Sequence, residues 1–95
     1  MNNKFPDIKY KSHEGMWVLR VNNNDIVIDH LGESRTYDFD NIQDVVVSHM
    51  YVTLSQSSGS YYQVKFEEAS FLVIDEYDSS DEFVGSVGSH VFGED

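Results

Sequence analysis

The stretch DEYDSSDEFVGSVGSHVF, residues 75–92, decides the fold, because the strand-like pattern of the preceding residues stops there. Ser79 stands three residues before Glu82, which is the spacing of a helix-capping box. Apolar side chains then recur every four residues, the period of a helix face, at Phe83, Val87 and Val91. The stretch therefore predicts a C-terminal helix over residues 80–92.

Two glycines oppose this helix, since Gly85 and Gly88 would each cost about 1 kcal/mol relative to Ala inside it. Two further features favour it. Asp81 and Glu82 would lie in the first turn, where the helix dipole stabilises carboxylates. Gly93 follows the last turn at a position typical of a C-terminal cap. Together with the apolar face, these signals favour the helix.

Upstream of residue 75, short apolar segments alternate with turn residues. The segments with a strand-like pattern are DIKYK, MWVLRV, IVIDHL, RTYDF, VVVSHMYVTLS, YYQVKF and FLVIDEY. In the fifth segment the apolar parity changes near Ser48 and His49, which indicates a bulge or a tight turn. We therefore predict about seven short antiparallel strands in a small barrel, roll or sandwich, followed by the one helix.

A bent antiparallel sheet followed by one C-terminal helix resembles, at the level of architecture, the pleckstrin-homology-like barrel. The resemblance implies that the helix over residues 80–92 covers one open end of the barrel. A roll or sandwich with the helix lying on one sheet is the alternative. With 95 residues and no linker, repeat or low-complexity segment, residues 1–95 are expected to form a single domain.

Few residue patterns in the chain indicate catalysis or metal binding. There is no cysteine, no GxSxG nucleophile motif and no typical metal-ligand spacing among the histidines, which are His13, His30, His49 and His90. EF-hand templates started at Asp75 or Asp78 lack the required glycine and glutamate. Weak calcium binding by Asp75, Asp78 and Asp81 is left open. We expect no enzymatic activity, no cofactor and no metal site.

The net charge is −11, and it is unevenly distributed. After Lys65 the sequence has nine carboxylates and no Lys or Arg. Such a field repels nucleic acid and anionic lipid and attracts basic surfaces. We therefore expect no direct binding to nucleic acid or membranes. With no secretory signal and no apolar run longer than FLVI, residues 71–74, the expected location is the cytoplasm.

These observations suggest a small acidic, non-enzymatic protein-binding module that engages a basic protein surface. Small size and strong acidity are shared by protein inhibitors, by immunity proteins, and by DNA mimics that occupy the binding site of a nucleic-acid-binding protein. The hypothesised contact residues are Asp75, Glu76, Asp78, Asp81 and Glu82, with Asp38, Asp40 and Asp44 as extensions. The alternative is a β-rich accessory domain, or a homodimer, whose acidity serves solubility only.

Overall fold

The computed structural model describes residues 5–12, 15–48, 51–67 and 71–92, and within these ranges the chain is all β. The strands are β1 (Ile8–Ser12), β2 (Gly15–Val21), β3 (Asp25–His30), β4 (Glu33–Asp38), β5 (Ile42–Val47), β6 (Tyr51–Gln56), β7 (Tyr61–Phe66), β8 (Phe71–Tyr77) and β9 (Phe83–Val91). They form two antiparallel sheets, ordered β1-β2-β3-β4 and β5-β6-β7-β8-β9. Within each sheet every strand pairs with its neighbour in sequence.

The two sheets pack face to face on one apolar core. Because successive side chains of a strand point to opposite faces, a strand with one buried face hides every second residue. β2 and β3 follow this rule, and so does β6 in the second sheet. The fully buried apolar side chains of the two sheets are Trp17, Leu19, Val21, Ile26, Ile28, Ile42, Val52, Leu54, Val64, Leu72 and Ile74.

Trp17 is the largest buried side chain, and it contacts both sheets. Its ring stacks on that of His30 in β3, with 3.8 Å between ring centroids. Across the core it contacts Phe66 of β7 at 5.0 Å and Phe92, directly after β9, at 5.2 Å. The buried His30 makes a 2.9 Å hydrogen bond from Nδ1 to the carbonyl oxygen of Met16. This cluster joins β2 and β3 of the first sheet to β7 and to the residue that follows β9 in the second.

The predicted helix over residues 80–92 is wrong, because this stretch is the strand β9. The pleckstrin-homology-like architecture and the predicted fold class with a C-terminal helix are wrong with it, although the β-rich character is confirmed. Phe83 and Val87, part of the supposed apolar helix face, are exposed. Only Gly fits easily at position 88, because the backbone there passes close to the Tyr37 ring. The β-branched valines elsewhere in the stretch favour a strand.

The supposed helix cap is a β-hairpin loop between β8 and β9. The amide of Asp81 donates to the carbonyl of Asp78 (3.0 Å), and the amide of Asp78 donates to the carbonyl of Glu82 (2.9 Å). Asp81 is left-handed, with φ of 68°, which is the geometry of a type I turn followed by one left-handed residue. The side chain of Asp78, not that of Ser79, accepts from the loop amides, namely those of Ser80 (2.8 Å) and Glu82 (3.0 Å).

The loop between β6 and β7 is built in the same way. The amide of Gly59 donates to the carbonyl of Gln56 (3.0 Å), the amide of Gln56 donates to the carbonyl of Ser60 (2.9 Å), and Gly59 has φ of 98°. The two loops are neighbours, since a Cβ added to Gly59 would lie 3.2 Å from Cβ of Ser79. QSSGS and DSSDE are therefore two copies of one turn design, packed side by side.

The predicted break near Ser48 is a tight connection between β5 and β6. The amide of Ser48 donates to the carbonyl of Tyr51, at 2.9 Å. Three residues used in the sequence interpretation lie outside the described ranges, and these are His13, His49 and Gly93.

Alanine substitutions at the two glycines of β9 distinguish the strand from a helix. In a helix both would stabilise by about 1 kcal/mol. In the observed strand, Gly88→Ala places a Cβ 2.8 Å from Cε1 of Tyr37, and overpacking of this kind costs about 1–3 kcal/mol. Gly85 has open space around it, so Gly85→Ala is the matched control and should be neutral or slightly stabilising. Urea denaturation measures both, and stabilisation by Gly88→Ala would contradict the strand.

Candidate binding surface

The antiparallel order brings alternate connections to the same end of the molecule. The connections after β2, β4, β6 and β8 all lie there, and backbone contacts join them. The amide of Phe39 donates to the carbonyl of Asn24 (2.8 Å), and the amide of Ser57 donates to the carbonyl of Asn41 (3.1 Å). The two Ser-Ser loops touch beside them. We call this region the acidic end and define it as residues 22–25, 37–44, 55–62 and 75–83.

The acidic end contains nine carboxylates and no Lys, Arg or His. The carboxylates belong to Asp25, Asp38, Asp40, Asp44, Asp75, Glu76, Asp78, Asp81 and Glu82. Eight of these nine are the contact residues predicted from the sequence. Asp25, the ninth, was missed because only the pairing of β3 with β4 places it opposite Asp38. Residues far apart in the sequence thus share one surface.

The carboxylates of the acidic end differ in exposure. Asp38, Asp40, Asp44, Asp81 and Glu82 are exposed, whereas Asp25, Glu76 and Asp78 are half-buried. Asp75 is buried, with 9% of its surface exposed. The first group is therefore the part of the acidic end that is most accessible from solvent.

The tyrosines next to these carboxylates experience their field. The hydroxyl of Tyr61 donates to Oδ1 of Asp81 at 2.7 Å, and this hydrogen bond is the main reason that the pKa of Tyr61 is raised to about 12. The pKa of Tyr62 is also raised, first by burial and then by the charges of Glu76 and Asp40. Carboxylates from one strand, β8, and from two connections, β4–β5 and β8–β9, therefore contribute to the same negative potential.

Asp75 belongs to an internal charge pair on the outer face of the second sheet. Its Oδ2 accepts from Nζ of Lys65 at 2.9 Å, and its Oδ1 accepts from the hydroxyl of Ser86 at 2.6 Å. Burial acts to raise the pKa of Asp75, but these two hydrogen bonds and the Lys65 charge lower it below its usual value. The hydrogen bond to Asp75 is the main cause of a raised pKa at Lys65. Lys65 is thus held as an ammonium ion, not as a neutral nucleophile.

The two arginines of the first sheet are also paired. Arg20 lies 2.9 Å from a carboxylate oxygen of Asp29, and Arg35 lies 3.2 Å from one of Glu33. The ring of His90 in β9 contacts the same Glu33 oxygen at 2.7 Å. These ion pairs lie outside the acidic end, where the described ion pair is that of Asp75 with Lys65, and they do not compensate its other eight carboxylates.

Other kinds of site receive little support from the described part of the chain. No three His, Cys, Asp or Glu side chains there are arranged to hold a metal ion, which includes the Asp75, Asp78 and Asp81 set. An apolar cleft of about 120 Å³ is lined by Phe5, Pro6, Ile8, Val45 and Val47. Its volume is below the roughly 300–1,000 Å³ of typical small-molecule sites. The described residues also form no helix that could cross a bilayer.

The Lys65–Asp75 pair predicts a specific loss of stability. Asp75→Ala leaves the Lys65 ammonium and the Ser86 hydroxyl without their acceptor, which should cost about 1–3 kcal/mol in urea denaturation at neutral pH. Asp44→Ala removes an exposed carboxylate from the same sheet and is the matched control, expected to be nearly neutral. Equal stability of the two variants would show that the pair contributes nothing.

The same pair predicts a pH dependence with a definite sign. Because folding lowers the pKa of Asp75 below its usual 3.8, the ionised carboxylate stabilises the fold above that pH. This contribution is lost as the pH falls through the lower pKa of the folded state. The stability difference between wild type and Asp75→Ala should therefore be constant from about pH 7 to pH 5 and shrink below about pH 4. A difference that is already lost at pH 5 would contradict the lowered pKa.

No protein-family model matches the chain, and no curated protein or solved structure is significantly similar to it. Its function is therefore inferred from the surface of this chain alone.

Proposed function

We propose that the protein is a small, non-enzymatic binding module whose acidic end engages a basic surface of another protein. The observation that carries this proposal is the concentration of nine carboxylates, without Lys, Arg or His, on four connections and the adjoining strand ends. Solubility alone would be served by charges of both signs spread over the surface. A charge of one sign on one end repels itself and is useful where an opposite charge approaches.

The sharpest form of the proposal is DNA mimicry. Here the partner is a nucleic-acid-binding protein, and carboxylates occupy positions that phosphates fill in its normal ligand. The five exposed carboxylates come from two separate regions of the chain, so they are not confined to a single line of sequence. Asp38, Asp40 and Asp44 lie in and beside the β4–β5 connection, and Asp81 and Glu82 lie in the β8–β9 loop. A protein inhibitor or immunity protein would use the same surface on a basic enzyme.

A second candidate function is a homodimer or accessory domain whose acidity serves solubility. The observation favouring it is the exposure of large apolar side chains on two edge strands, Val46 and Val47 on β5 and Phe83, Val84 and Val87 on β9. Edge strands with such side chains are prone to pair with another chain. Analytical ultracentrifugation over a wide concentration range separates the two proposals, because only the second requires self-association.

Neutralising exposed carboxylates should slow binding to a captured partner. The variant Asp38→Asn/Asp40→Asn/Glu82→Gln changes three exposed side chains that accept no described hydrogen bond. The experiment captures partners from a lysate of the native cell at about 50 mM and about 500 mM NaCl and then measures association kinetics with the purified partner. We expect a partner retained at low salt, and an association rate reduced roughly tenfold in the variant with a weaker salt dependence.

Single variants separate the position of the charge from the net charge. Glu82→Gln and Glu67→Gln each remove one exposed carboxylate, but Glu67 lies at the opposite end of the sandwich. Only Glu82→Gln should slow association. Equal effects would mean that the net charge acts without any localised surface. If duplex DNA competes with this protein for the partner, DNA mimicry is supported. If duplex DNA does not compete, this protein binds the partner outside its nucleic-acid site.

A further inference from the structure

Three large apolar side chains stand exposed on β9, beside the acidic end. The exposed fractions are 60% for Phe83, 57% for Val84 and 49% for Val87. We call these three residues the apolar strip. A small domain gains nothing by holding three such side chains in water, and large apolar side chains exposed close together on one strand often mark a contact with another molecule.

The apolar strip results from two irregularities in the pairing of β8 with β9. The register shifts between Ile74 and Asp75 and again between Glu76 and Tyr77. Val87 and Val84 are the extra residues of β9 at these shifts, so neither has a direct partner in β8. Bulges on an edge strand weaken pairing with another strand and redirect side chains. β9 is therefore suited to contact a partner through its side chains more than through its backbone.

The apolar strip continues into a row of aromatic rings. Tyr77 contacts Phe83 at 5.9 Å between centroids, with the rings nearly perpendicular, and Tyr61 stacks on Tyr77 at 5.1 Å. Nζ of Lys65 lies 5.8 Å from the centroid of the Tyr77 ring, so this row already accommodates one cation. Phe83 ends the row, and its exposed ring is available for a similar contact from outside.

The charge around the apolar strip identifies the kind of partner. The β8–β9 loop leads directly into Phe83 and carries the carboxylates of Asp78, Asp81 and Glu82. A second copy of this chain would not complement the surroundings of the strip, because it too carries a net charge of −11 and would bring like charge to the interface. A partner surface on which Arg or Lys alternates with apolar side chains complements both the apolar strip and the carboxylates of the adjoining loop.

We propose that Phe83, Val84 and Val87 form the dehydrated centre of the interface with the basic partner, and that the acidic end forms its rim. This inference rests on the proposed function and adds the partner's chemistry: a basic surface with apolar side chains between its cations. Interfaces concentrate binding energy in such a centre, which mainly sets the dissociation rate. The rim charges set the association rate and its salt dependence.

The test uses two peptides of equal length and charge, one of alternating Arg and Val and one of alternating Arg and Ser, added to ¹⁵N-labelled protein. We expect the Arg/Val peptide to shift the amide signals of residues 84–87 in addition to those of the acidic end, and to bind about tenfold more tightly than the Arg/Ser peptide, which should shift only residues of the acidic end. Raising the salt concentration should abolish binding of the Arg/Ser peptide and leave part of the Arg/Val binding.

Matched valine variants locate the contact. Val84→Thr/Val87→Thr should remove the tenfold preference for the Arg/Val peptide, whereas Val46→Thr, on the distant edge strand β5 with 51% exposure, should retain it. Equal binding of the two peptides by the wild-type protein overturns this inference and leaves the proposed function standing. Failure of both peptides to shift the acidic end overturns the proposed function as well. Concentration-dependent shifts of β9 without peptide would identify a second copy as the occupant and overturn the inference.

Discussion

The structure depends on the enclosure of Trp17 between the two sheets. Its indole stacks on His30 within one sheet and meets Phe66 and Phe92 from the other, so it can be covered only when both meanders are complete. Phe92 reaches Trp17 only if the residues before Phe92 run extended along β8. A helix over residues 80–92 would be too short for this, because a helix rises less than half as far per residue as a strand. The need to close the core at Phe92 therefore outweighs the local signals that favour a helix.

The same topology produces the surface. In a meander of antiparallel strands every second connection lies at the same end, so acidic connections that are well separated in sequence become neighbours. This arrangement opposes folding, because like charges are brought together. The core must offset that repulsion, and fully burying each large apolar side chain contributes about 1.5–3 kcal/mol. The arginines of the first sheet do not relieve this repulsion, because they pair with Asp29 and Glu33 away from the acidic end.

The sequence was sufficient for the β-rich character and for the acidic residues, but not for the last strand. Strands such as β2 and β6 were predictable because their apolar residues alternate. The helix was predicted because side-chain acceptors that cap helices also accept amides in hairpin loops. The signal in the sequence that identifies the β8–β9 hairpin is the similarity of DSSDE to QSSGS, because QSSGS is a typical turn sequence. The pairing of Asp75 with Lys65 was not predictable, since it depends on the register of β7 with β8.

The carboxylates of the acidic end divide into those that the fold uses and those that it does not. Asp75 holds Lys65 and Ser86, Asp78 holds two loop amides, and Asp81 accepts from Tyr61 while occupying a left-handed position. Local structure is therefore enough to explain these three. No described hydrogen bond requires the remaining exposed carboxylates, which are Asp38, Asp40, Asp44 and Glu82. Amides at those positions would preserve the fold and reduce its self-repulsion, and under the proposed function the negative charge of these four residues serves the contact with a basic partner.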